Sequence, residues 1–419
     1  MLIKRRSFLQ GLAGAACTPL FLEAMSAEAA TNNDLIVVVV GLNGGNDGLN
    51  TVVPLKQYGL YNTLRSPPGA GDTLAYPRSQ LALTAFDGNP AHVPTASTEY
   101  AFAPAMTAMR DLYTTGKLAV INGIGLPNAE LAPQSHFAGW SDWSTGQINV
   151  DGASIPPGWL GAALAKLPSG VLGPTASVAG AELVTASAAS QGLVVGRPAD
   201  FSLNIPYYFP QFQLGQAFQR MLSAGQSNAV AAGARSVTNA TLNAVSAMQG
   251  FSQLAGDYPT DVSDLGQQLL SITQMIAGKS GIRGFVAVSY GYDTHSGQNN
   301  DHPVLVEDLS VSMQQFYGYL QKKKLSSNVL IVTISDFGRT PAANLSLGTD
   351  HGSASTAFVL GDMVKGGVYG DYPSLKNFDS TGNLAVNVDF RNMLSDVIQA
   401  LGGNAKAVLG STYPKLGFI

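Results

Sequence analysis

The chain has 419 residues, of which 45% are hydrophobic and only 12% charged, with a formal net charge of −4. That is enough apolar material for a sizeable core, with Ser, Thr, Asn, Gln and Gly left to cover much of the surface. A mildly acidic chain whose one short basic run is Lys322-Lys323-Lys324 argues against a nucleic-acid binder, and that run reads as a solvated helix end.

The N-terminus carries Lys4-Arg5-Arg6-Ser7-Phe8-Leu9-Gln10, which has the twin-arginine form. The weakly apolar stretch 11–22 that follows is too short and too rich in Ala and Gly to span a bilayer, and Ala27-Glu28-Ala29 offers a small-x-small cleavage site. Residues 1–30 are therefore expected to be a twin-arginine signal peptide. The chain would be carried folded by the twin-arginine translocase to the periplasm or the medium. The alternative is an amphipathic N-terminal helix of a cytosolic protein. Cys17 is the only cysteine and lies in this segment, where Gly14-Ala15-Ala16 makes a weak lipobox. The mature chain would then have no disulfide and no thiol nucleophile. No other apolar stretch is long enough to cross a membrane, so no stable span is expected.

Five runs, 35–40, 118–124, 284–289, 329–335 and 357–360, are continuously apolar and rich in β-branched residues. Unalternating runs of this length suit strands buried on both faces. Apolar residues at helical spacing mark 103–115, 263–277, 303–321 and 391–401. Strands alternating with helices predict an α/β fold with a doubly wound, mostly parallel sheet sandwiched by helices. Residues 31–419 would form this domain. Within it, about 151–261, rich in Ala, Ser, Gln and Asn, reads as a helical insertion or cap, or equally as part of the sheet's cover. Residues 218–254 are expected to be mostly helical, and 205–210 an ordered loop.

In open α/β sheets, sites form at the carboxyl ends of strands. There the sequence places Asp47 in a glycine-rich loop, then Asp293 and His295, then Asp336 and Arg339, then Asp350 and His351. His136 follows the second run, preceded by Ser135. Asp and His together suit Zn²⁺ or Mn²⁺. A lone Asp47 would often be only a helix cap, and a lone His295 a surface or core histidine. Four such motifs at strand ends point to one shared metal site.

These motifs carry a resemblance. Gly44-Gly45-Asn46-Asp47-Gly48-Leu49-Asn50-Thr51, Ser135-His136-Phe137, Asp293-Thr294-His295, Ser335-Asp336-Phe337-Gly338-Arg339-Thr340-Pro341, Thr349-Asp350-His351-Gly352 and residues 366–373 resemble the bacterial family called domain of unknown function 1501. That family is placed in the alkaline phosphatase-like superfamily with sulfatases and cofactor-independent phosphoglycerate mutases. The resemblance covers essentially the whole chain and implies an alkaline phosphatase-like fold holding one or two divalent metals, zinc or manganese. It implies Asp47, Asp293, His295, Asp336, Asp350 and His351 as metal residues. Ser135, at the start of a helix ending in Thr145-Gly146, matches the nucleophile, with Thr51 and Asn50 as competitors. His136 would be a general acid or merely pack the helix. Arg339 would bind an equatorial oxygen of the substrate or form a salt bridge. Phe337 stands where the superfamily usually has His; either His351 replaces that ligand, or one metal is absent. The implied activity is hydrolysis of a phosphate, sulfate or phosphonate ester on a small-molecule or polymer substrate. The departure at Phe337 keeps open a catalytically silent metal-binding protein of the envelope. Formylglycine-type sulfatase chemistry is disfavoured, because Ser135 lacks the Pro and Arg context it needs.

Overall fold

A computed structural model describes residues 34–419, apart from 70, 92–94, 96–97, 128–134, 149–154, 168–171, 189, 203–219, 221–241 and 260–261. The expected signal, the loop at 205–210 and most of the helix expected over 218–254 lie outside the described residues.

Each of the five apolar runs is a strand: β1 (Ile36–Asn43), β2 (Leu118–Gly125), β3 (Gly284–Tyr290), β4 (Val329–Ser335) and β5 (Ser355–Leu360). They lie in a nine-stranded sheet in the order β2-β5-β4-β1-β3. Gly367–Tyr369 and Val388–Asp389 pair with β2, and Thr175–Ser177 and Leu193–Val194 extend the sheet past β3. Both neighbours of β1 are parallel to it, Val38 lying opposite Phe285 on one side and Ile331 on the other.

Alternate side chains of β1 enter two different cores. Val38, Val40 and Leu42 pack with residues of α1 (Thr107–Thr114), α4 (Asp264–Ala277) and α5 (Gln298–Lys322), among them Met109, Ile272 and Phe316. Val37 and Val39 pack on the other face with Trp143 of α2 (His136–Thr145), Trp159 of α3 (Trp159–Leu164) and Met393 of α6 (Phe390–Ala400). A strand covered on both faces has no reason to alternate polar with apolar residues, which explains the continuous run.

β5 is antiparallel to both of its neighbours. β4 leaves the carboxyl edge into the short ladder Gly338–Arg339 with His351–Gly352, and the chain returns directly into β5. With no crossover helix between them, β4 and β5 can pair only antiparallel. The return also brings His351 back to the edge where Asp336 lies.

One expectation is corrected here. α5 begins at Gln298, five residues before the expected start at 303, with Pro303 inside it; this puts Gln298 and His302 on its first turns. The described part of 151–261 contributes to the sheet and to its cover. Its strands widen the sheet, and Met248, in the helical residues 242–251, is buried in the main core.

Candidate metal centre

Three parallel strands, β4, β1 and β3, end side by side, so the loops after them share one edge. After β1, Gly44 has φ +115°, and a Cβ there would sit 2.4 Å from the backbone nitrogen of Asp293. Only glycine lets the β1 loop approach the β3 loop this closely. Helix α2 reaches the same edge from below, closed as expected by Gly146 in the left-handed region.

At this edge Oδ1 of Asp293 lies 3.4 Å from Nε2 of His136, 3.0 Å from Nε2 of His295 and 3.4 Å from Nε2 of His351. The two Nε2 atoms of His295 and His351 are 3.0 Å apart. Donor atoms of His136, Asp293 and His351 all lie within 4.8 Å of one another, a spacing one metal ion can bridge. The site opens to solvent, Asp293 being 45% exposed.

Two carboxylates stand behind the imidazoles. Oδ2 of Asp336 is 2.6 Å from Nδ1 of His136, and Oδ1 of Asp350 is 2.8 Å from Nδ1 of His295. A carboxylate accepts from an Nδ1–H, so each pairing turns the Nε2 of its imidazole towards Asp293. Nε2 of His136 is buried and has no hydrogen-bond partner. Carboxylate–imidazole pairs of this kind characteristically orient metal-binding histidines. Burial pushes the Asp336 carboxyl up, and His136 and the Gly44 N–H only partly offset this. Burial also opposes ionisation of Asp293, but the hydrogen bond and charge of Arg339, with His136 and His295 nearby, hold it below its usual range.

Asp336 turns its oxygens to His136 and the Gly44 N–H. Asp350 holds His295. Asp47 is buried and its oxygens are taken up, Oδ1 by Arg65 at 2.7 Å and by the N–H groups of Leu49 and Asn50, and Oδ2 by Gln298. It caps the helix Gly48–Thr51. His136, expected as a general acid or packing residue, stands among the candidate ligands.

Arg339 is buried and cannot reach a substrate oxygen. Its Nε donates to Gly45 O, Nη1 to Thr349 O, and Nη2 to Gly44 O, Tyr292 O and Asp293 Oδ1. It ties together the three loops that carry the site. The competing nucleophiles are also buried: the Thr51 hydroxyl donates to Asn46 Oδ1 and Asp47 O, and the Asn50 amide donates to Leu74 O. Ser135 occupies the N-cap of α2, half-buried, and its hydroxyl makes no cap bond. Phe337 does not leave a gap where a histidine is usual. Its ring centroid lies 4.8 Å from that of His136 and 4.6 Å from that of His351, an apolar wall against both imidazoles.

The sequence carried no signal for Arg65, nor for His302, which is buried with Nε2 3.1 Å from Asn46 Oδ1. With Asp47, Gln298 and Thr51 they form a polar network beneath the site.

Fold and site together define an α/β sandwich with an imidazole-rich acidic group at the carboxyl edge of its sheet. The chain belongs to the family DUF1501, described as a protein of unknown function, whose pattern matches residues 35–413. No curated protein matches the chain. Among solved structures, it is similar to Ps i-CgsB in complex with k-i-k-neocarrahexaose (TM-score 0.41, 8% identity, covering 92% of this chain and 75% of that one). It is also similar to alkaline phosphatase from the Antarctic bacterium TAB5 (0.35, 11%, 92% and 100%). A third is the phosphonate monoester hydrolase SpPMH from Silicibacter pomeroyi (0.31, 9%, 91% and 78%). Among the described residues no helix is long and apolar enough to cross a membrane.

Proposed function

We propose that this chain is a metal-dependent hydrolase of phosphate or related esters, exported through the twin-arginine translocase to the periplasm or beyond. One observation carries the metal reading. The Nε2 atoms of His136 and His351 and the Oδ1 of Asp293 face one another within 4.8 Å at one sheet edge. Two imidazoles and a carboxylate at this spacing are a donor set that suits one divalent cation. A divalent ion there would supply positive charge beside the N-terminus of α2. Ser135, uncapped at that N-terminus, is the nucleophile in this reading. Its Oγ would form the new bond to phosphorus as the alcohol leaves, and water would then release the phosphate. The first N–H groups of α2 favour the anion.

The second reading, a catalytically silent metal-binding envelope protein, is favoured by Arg339. The cation expected to clamp the substrate is spent on internal carbonyls, so that site for an equatorial oxygen is missing. Phosphate mono- and diesters offered to the metal-loaded mature protein and to Ser135→Ala separate the two. Turnover that disappears in Ser135→Ala, with metal content unchanged, supports the hydrolase; no turnover of any ester by the loaded wild type leaves the silent protein.

A further inference from the structure

Resting on that metal reading, we propose that the centre holds a single divalent transition ion on four side chains, His136, His295, His351 and Asp293. His295 is the added ligand. Its Nε2 lies 3.0 Å from both Asp293 Oδ1 and His351 Nε2, while Asp350 occupies its Nδ1. Asn344 braces this pair, donating to His295 O at 2.9 Å and lying 3.4 Å from Asp350 Oδ1. The His295 Nε2 thus faces Asp293 and His351, as the His136 Nε2 faces Asp293. Four donors each about 2.0–2.1 Å from one ion stand roughly 3.3 Å apart in a tetrahedral arrangement. Four of the six pairings, those on Asp293 and the one between His295 and His351, have that spacing at 3.0 to 3.4 Å; His136 and His351 are brought only within 4.8 Å, and an ion would have to draw His136 inward.

Among the described residues at this edge, no carboxylate is left for a second ion. Asp336 is committed to His136 and the Gly44 N–H, Asp350 to His295, and Asp47 to Arg65 and Gln298. Three imidazoles and one carboxylate suit Zn²⁺ or Fe²⁺ and disfavour Mg²⁺ and Ca²⁺, which require mostly oxygen ligands. Four protein ligands leave an exchangeable position only if coordination expands to five, and the exposed side of Asp293 gives room for that.

The test is metal stoichiometry by mass spectrometry on mature protein purified without chelator, with Zn²⁺ affinity measured by chelator competition for wild type, His295→Ala and Asp350→Asn. The expected result is one equivalent in wild type. Affinity should fall at least about 100-fold in His295→Ala and roughly 10–100-fold in Asp350→Asn, as for outer-shell carboxylates generally. Thermal unfolding of the metal-free proteins should be nearly unchanged, since His295 is half exposed. If His295→Ala does not fold, the visible spectrum of Co²⁺-loaded His295→Gln replaces it; a spectrum identical to wild type overturns the proposal. So do two equivalents of metal, wild-type affinity in His295→Ala, or Mg²⁺ bound as tightly as Zn²⁺. If the folded wild type takes up no ion, this proposal and the metal reading fail together. If one ion binds through His295 and no ester is hydrolysed, only the hydrolase reading fails.

Discussion

Nδ1 of His136 lies 2.6 Å from Oδ2 of Asp336, a residue 200 positions away in the chain. The pair joins the first turn of a helix to the end of a strand. It turns the other imidazole nitrogen, Nε2, towards Asp293. Replacing Asp336 by Asn keeps the shape but removes the charge that favours the Nδ1–H form. The expected outcome is a fall in metal affinity of roughly 10–100-fold. Chelator competition measures this, and an unchanged affinity would show that Asp336 does not orient the ligand.

Arg339 satisfies four backbone carbonyls and Asp293 from a position without solvent access. Arg339→Met leaves those buried acceptors unpaired, at about 1–3 kcal/mol for each that water cannot reach. We expect at least about 3 kcal/mol of destabilisation in denaturant unfolding, together with weakened metal binding. Arg339→Lys should not rescue it, because an ammonium cannot reproduce the planar fork. A variant as stable as wild type would refute the strap.

His302 is buried, and burial, only partly opposed by Asp47, lowers its pKa from 6.5 to about 4. The sign follows directly. Between these values the unfolded chain binds a proton that the folded one refuses, so stability is lost as pH falls from 6.5 towards 4. At about 1.4 kcal/mol per pKa unit the loss approaches roughly 3 kcal/mol. Asp47, held below its usual range by Arg65 against the cost of burial, adds loss only at lower pH, near and below the ordinary carboxylate range. Urea unfolding from pH 7 to 4 should therefore show a slope that flattens in His302→Gln. An equal slope in both proteins would mean that His302 does not titrate as assigned.

Gly44→Ala should damage the site from the backbone. The added Cβ would press on the Asp293 nitrogen, and φ of +115° strains any L side chain. Metal affinity and melting temperature should both drop. Gly59, within the helix Tyr58–Leu64, is the control, since a Cβ there meets nothing within 4 Å. Gly59→Ala should stabilise by about 0.5–1 kcal/mol. Matching melts for the two variants would count against the close-approach argument.

The family, the five strands and the strand-end position of most site residues could be read from the amino-acid sequence alone. Burial on both sheet faces writes itself into continuous apolar runs, and loops at the carboxyl edge keep their polar residues because they face solvent and each other. The assignment of roles could not be read this way. Asp336 and Asp350 looked like ligands, yet each ends behind a histidine. Arg339 looked like an anion binder, and it turned inward. Asp47 met Arg65, for which the sequence held no sign. These outcomes depend on which side-chain atoms meet across separations of up to 295 residues. Residue type and spacing determine what chemistry a loop carries, but hydrogen-bond direction and charge pairing are settled only when loops from different strands pack together. The tertiary structure decided that three imidazoles and one carboxylate converge, and that the remaining charges hold them in place.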